Sequence, residues 1–223
     1  MIVTWPIART IGERPECRDL GDVVQVTGTF AAGGVVLLRG AIGRVPLARI
    51  RDAARSALAA DPDRYAVRLD ELRLDAETRQ SLAPPLFFAI ASRYLSSPAE
   101  VAAESHVRSM SPLAADAIPP FHRTESVLTR KVLTGWIPLA PCGGDGLRLE
   151  IVPGSWVLEV SAGGGAAETL EAGTIVDRFG RSALWRPSLE LGDAMLFSGR
   201  TAHRAYAIGE TPNRAVAIEL SLI

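Results

Sequence analysis

Leu191–Ile223, LGDAMLFSGRTAHRAYAIGETPNRAVAIELSLI, is the stretch that decides how the chain is read. A Gly192-Asp193 turn feeds the apolar run Ala194-Met195-Leu196-Phe197, His203 follows, a turn rich in Gly, Pro and Asn covers Gly209 to Asn213, and Arg214 heads a final apolar run. That order is strand, histidine, turn, arginine, strand. The spacing lets the chain leave one strand, turn and return beside it, so that an imidazole and a guanidinium face one cavity. Such a pair suits a metal with an organic carboxylate bound next to it.

Upstream of this stretch the texture is already strand-like from about Glu104. Apolar or alternating runs occupy Ser105 to Met110, Thr129 to Leu139, Leu147 to Val152, Trp156 to Val160 and Ala183 to Arg186. Turn signals separate them, among them Pro119-Pro120, Pro141-Cys142-Gly143-Gly144, Pro153-Gly154 and Gly163-Gly164-Gly165.

Before Glu104 the pattern is different. Val35-Val36-Leu37-Leu38, closed by Gly40, reads as a buried strand. Leu47, Ile50, Ala54, Ala57 and Leu58 then recur at helical spacing until Asp61-Pro62. Asp75-Ala76-Glu77-Thr78 starts a second helix that Pro84-Pro85 must interrupt, and a third runs from Leu86 through Ile90 to Tyr94. Helices first, then about eight antiparallel strands, predict a mainly β protein: a jelly roll (double-stranded β-helix, cupin-like) with N-terminal helices. The expected organisation is a single domain over 1–223, with an extended and helical buttress in 1–100 and the jelly-roll core in 101–223.

Composition narrows the function. A chain of 223 residues, 48% of them hydrophobic, is long enough to bury a large core. The formal net charge is -1 with both signs interspersed, which points away from nucleic acid and membrane surfaces and toward a small-molecule partner. Lys131 is the only lysine, and nothing beside it suggests a Schiff base. Cys17 and Cys142 have no paired spacing and read as reduced thiols. No apolar run approaches the roughly 20 residues of a membrane span, so the expectation is a soluble, cytoplasmic protein. Oligomeric state leaves no trace in the sequence.

Three histidines are present: His106, His122 and His203. His122 lies in Pro119-Pro120-Phe121-His122-Arg123-Thr124-Glu125, between a proline-rich turn and a long strand. A lone histidine near a strand end is ordinarily a hydrogen-bonded structural residue. His122 and His203 taken together with Arg214 argue for more, whereas His106 stays a structural residue.

The segments PPFHRTES, WIPLAPCGGDGLRLEIVPGSW and LGDAMLFSGRTAHRAYAIGETPNRAVAIEL, in this order, resemble the phytanoyl-CoA dioxygenase-like family of Fe(II)- and 2-oxoglutarate-dependent oxygenases. The likeness covers most of the chain from Val35 and is strongest from Pro119 onward. In that family a His-x-Asp pair and a distal His hold iron, and an Arg beyond the distal His binds the far carboxylate of 2-oxoglutarate. The resemblance implies His122 and His203 as metal ligands and Arg214 as the co-substrate anchor. Arg214 suits that role, since a planar guanidinium grips a carboxylate through two parallel hydrogen bonds.

One position departs from the family. Two residues after His122, where the family has Asp, this chain has Thr124. A neutral hydroxyl brings neither the charge nor the oxygen donation of a carboxylate, which makes the triad degenerate. Glu125 is the nearest substitute, although regular strand alternation turns it away from His122 unless a bulge intervenes. Asp145 and Asp193 sit in Gly-containing turns and read as structural. Three outcomes follow: an oxygenase hydroxylating a small organic molecule, with Thr124 lining the cavity and Trp136 touching substrate; a metal-independent enzyme or binding protein on the same scaffold; and, ranked last because threonine is bulkier than the small residue found in related halogenases, a halogenase.

Overall fold

The computed structural model describes residues 16–17, 34–61, 64–110, 118–124, 131–144, 146–157, 169–170, 172–208 and 215–223. Apolar strands separated by tight turns have paired into two sheets. The larger contains β1 (Glu16–Cys17), β2 (Val35–Leu38), β3 (Ala66–Arg68), β4 (His106–Met110), β6 (Leu133–Pro138), β9 (Ala194–Ser198) and β11 (Ala215–Leu222), in the order β1-β2-β9-β6-β11-β4-β3. The smaller contains β5 (Phe121–His122), β7 (Leu147–Ile151), β8 (Thr169–Leu170) and β10 (His203–Ala207), in the order β7-β10-β5-β8. Apart from the parallel pair β1 and β2, the described strand pairings are antiparallel. The fold is the expected jelly roll.

Strand alternation divides the core in two. On β11, Val216, Ile218, Leu220 and Leu222 pack with the helices, while Ala217 joins the layer between the sheets. On β9, Leu196 faces the helices and Met195 and Phe197 face inward. The outer face is covered by α1 (Arg44–Ala59) and α3 (Pro85–Leu95), with α2 (Ala76–Gln80) between them in sequence. Helix α1 buries Leu47, Ile50, Ala54 and Leu58, close to the stripe its periodicity predicts. Pro85 occupies the first turn of α3, where its missing N–H costs nothing, and Ser96 ends that helix in the left-handed region at φ 62°.

Asp75 caps α2 with its carboxylate, accepting from the Thr78 N–H at 2.7 Å and from the Thr78 hydroxyl at 3.0 Å. Asp75→Ala is expected to lower the urea midpoint, since the two bonds from Thr78 are lost. An unchanged midpoint would show that the helix is held by packing alone.

The sequence reading needs correcting between the smaller sheet's strands. Trp156 to Val160 was expected as a strand, yet Ser155–Val157 is one turn of 3-10 helix. Ser155 closes this turn by donating its hydroxyl to the Val152 carbonyl at 2.6 Å and accepting from the Ala202 N–H at 2.8 Å. Residues 158–160 lie outside the described residues. Ala183 to Arg186 is likewise no regular strand: Arg181–Ala183 is 3-10 helix, and Trp185 forms an isolated bridge with Ile151. A helix that periodicity did not reveal, α4 (Ala172–Phe179), buries Ile175 with Phe121, Val152 and Ala202 on the back of the smaller sheet.

Candidate active site: a histidine pair between the sheets

Pairing of β5 with β10 sets His122 directly opposite His203. Alternation along β10 sends His203 and Ala205 into the inter-sheet layer and Arg204 and Tyr206 to the back. The two imidazole centroids lie 4.5 Å apart with an interplanar angle of 55°. Phe197 of the facing sheet packs on His203 at 4.6 Å. His203 is 2% exposed, and its Nδ1 lies 2.9 Å from the Thr201 carbonyl. That carbonyl can only accept, so Nδ1 carries the proton and Nε2 keeps a free lone pair, the arrangement found in metal-ligating histidines.

Burial is the main reason His203 is pushed down to about 4, with the neighbouring His122 adding to the shift and Glu219 opposing it. His122 is lowered too, again chiefly by burial, with Glu219 the leading opposing influence. Both imidazoles are therefore neutral at pH 7, the state in which they bind a cation. Two imidazoles bound at right angles to a cation, each nitrogen about 2.1 Å away, would hold their ring centres roughly 4.5 Å apart, so the observed spacing fits. Thr124 Oγ1 and Thr134 Oγ1 are buried without hydrogen-bond partners, and Thr134 is the cross-strand neighbour of Phe197. The orphan hydroxyl of Thr134, on the inner face of β6 with Trp136, calls for a polar occupant in this layer.

On the back of the same sheet a second set of groups fixes the pair. Glu150 is fully buried and accepts from Arg204 Nε at 2.7 Å, Arg186 Nε at 2.5 Å and the Tyr206 hydroxyl at 2.9 Å. Arg204 also donates to the Pro119 carbonyl at 3.1 Å and lies 4.2 Å over the Phe121 ring. One guanidinium thus ties β10 to the segment that carries His122.

Of the residues singled out in the sequence, His122 and His203 come together and Trp136 lies buried on the inner face opposite Met195. Asp193 is structural as expected: it accepts from the Gly40 and Glu190 N–H groups and from Arg39. Arg214, Glu125, Asp145 and the Gly163 to Gly165 run lie outside the described residues. Burial raises the Cys142 thiol to about 12, which leaves it inert as a nucleophile. Among the described residues, no three His, Cys, Asp or Glu side chains group closely enough to hold a metal by themselves.

Solved structures locate this architecture. The chain matches the epimerase SnoN in complex with Fe3+, alpha ketoglutarate and nogalamycin RO at TM-score 0.67 and 18% identity, covering 90% of this chain and 83% of that one. It matches AviO1 from Streptomyces viridochromogenes Tue57 at TM-score 0.66 and 19% identity, covering 90% and 94%. It matches the non-heme alpha ketoglutarate dependent carbocyclase SnoK from nogalamycin biosynthesis at 0.67 and 17%, covering 88% and 82%. They share one fold. No family model and no curated protein matches the chain.

Sequence reasoning missed a polar group on the facing sheet. Glu219 of β11 is directly opposite both Trp136 of β6 and His106 of β4, and its carboxylate lies 3.7 Å from His106 Nε2 and 3.8 Å from Arg108 Nη2. His106 is also held at its other nitrogen, 3.0 Å from the Glu104 carbonyl. The signal was there to be read: Glu219 is the single charge in Ala215–Ile223, and His106, Arg108 and Met110 share one parity on β4.

No helix of the described residues is long and apolar enough to cross a membrane.

Proposed function

We propose that this protein is an Fe(II)- and 2-oxoglutarate-dependent oxygenase-like enzyme acting on a small organic molecule, with His122 and His203 as metal ligands and Arg214 as the anchor of the co-substrate's far carboxylate. The observation that carries the reading is the in-register pair of neutral imidazoles, 4.5 Å apart in the inter-sheet layer. The shared fold with structures described as binding Fe3+ and alpha ketoglutarate supports it. When bound, iron and 2-oxoglutarate supply oxidative activation of oxygen; hydroxylation is the outcome we assign. This chain's part is to present Nε2 of His203 and a ring nitrogen of His122, to keep water out with Phe197 and Trp136, and to leave the Thr124 hydroxyl where the oxygenases it resembles carry a carboxylate.

Anaerobic addition of Fe(II) and 2-oxoglutarate tests the reading. A visible charge-transfer band that disappears in His122→Ala is the expected result. No band and no iron uptake at millimolar metal would replace this reading with a metal-independent enzyme or binding protein, which the neutral Thr124 favours. Arg214→Lys is expected to weaken 2-oxoglutarate binding by ~1.5–3 kcal/mol through loss of a bidentate contact, as read by calorimetric titration. An unchanged affinity would place the carboxylate elsewhere.

A further inference from the structure

Glu219 is 8% exposed, and among the described residues no donor lies within hydrogen-bonding distance of its carboxylate; its contacts are the two ion-pair approaches at 3.7 and 3.8 Å. A buried carboxylate is ordinarily held by several short hydrogen bonds, because an unsatisfied one is costly. Glu150, on the back of the other sheet, meets that rule. Glu219 makes no such short bond among the described residues, its side chain keeping 11% exposure to solvent, and it stands on the inner face of the sheet that opposes the histidine pair, in the strand beside Trp136 and one strand further from Phe197.

We propose that Glu219 supplies the negative charge that position 124 lacks, balancing a divalent cation held by His122 and His203 and reaching it through a metal-bound water rather than by a direct bond. The indirect contact follows from the absence of a three-residue ligand group among the described residues. The buried, unpartnered hydroxyls of Thr124 and Thr134 give such a water further partners. Burial works against the charge, but the neighbouring Arg108 guanidinium holds the Glu219 carboxyl below its usual value, so it is ionised while no cation is bound. Two neutral imidazoles and one carboxylate then give the same total charge as a His-Asp-His triad, drawn from a strand at the far end of the chain. The carboxylate is a positioning and charge-balancing group, and the inference rests on the metal reading above.

Co(II) serves as the probe, followed by its visible absorption on samples whose folding is checked by circular dichroism. Glu219→Gln is expected to weaken Co(II) binding ~10–100-fold, the usual loss when a carboxylate behind a metal ligand is removed. Adding Thr124→Asp to that variant is expected to restore the affinity. Thr124→Asp alone is expected to gain less than tenfold, since the charge is already supplied; this variant leaves Glu219 untouched and keeps the test open if Glu219→Gln does not fold. Wild-type affinity in Glu219→Gln, or a gain of 100-fold or more in Thr124→Asp alone, would overturn the proposal while leaving the histidine site standing. No saturable Co(II) absorption in the wild type would remove both.

Discussion

Glu150→Gln is expected to destabilise the protein by about 3–5 kcal/mol, measured as a fall in the urea midpoint at constant slope. The substitution keeps the shape and removes the charge, leaving two guanidiniums without their counter-ion. They do not suffer equally: Arg186 has a side chain 60% exposed and can turn to water, whereas Arg204 is 12% exposed and cannot. Arg204 therefore sets the cost, and the lower end of the range is favoured. The pH dependence has a definite sign. Burial acts against the charged form, but bonds from Arg186, Arg204 and Tyr206 hold the Glu150 carboxyl below its usual value. A depressed carboxyl contributes stability that is complete above the unfolded-state pKa and is lost as pH falls through the folded-state value. The gap between wild type and Glu150→Gln should thus be flat near neutrality and close in acid. A gap independent of pH would show that the charge is not what stabilises the sheet.

The second large effect concerns the site. His203→Ala is expected to reduce Co(II) or Fe(II) affinity by on the order of 100-fold or more, exceeding the loss from changing a supporting group, because it deletes one of two imidazole donors. Calorimetric titration with the folded variant reads this directly. His203 is buried against Phe197, so some stability is lost as well. The His122→Ala variant provides the comparison: His122 is partly exposed at the end of a two-residue strand, and the same metal loss should come with a smaller stability loss. Wild-type affinity in either variant would mean that the pair does not hold the cation.

The jelly roll was legible because alternation and turn chemistry agreed. β2 runs over Val35–Leu38 as the sequence predicts, and α1 follows its apolar spacing within a few residues. The meeting of His122 with His203 was foreseen through a family likeness, and the in-register pairing supplies the physical reason for it. Where reading failed, local groups took the backbone away from a strand, as Ser155 does, or a short helix was docked by contacts distant in sequence, as Ile175 is on Phe121. Glu219 was passed over because its neighbours made its strand look wholly apolar, and strand register alone brings it opposite His106 and Trp136.

His122 and His203 sit on unequal supports. The five residues of β10 are all paired with β7, while β5 has two residues, one of them paired to β10 and both to the two-residue strand β8. The shorter ladder has fewer backbone bonds to lose, and the Arg204 guanidinium on Pro119 and Phe121 is what adds to its hold. A cation held between these strands would rest on one long ladder and one short one, and amide-proton exchange of Phe121 and His122 is expected to run faster than that of His203 to Ala207.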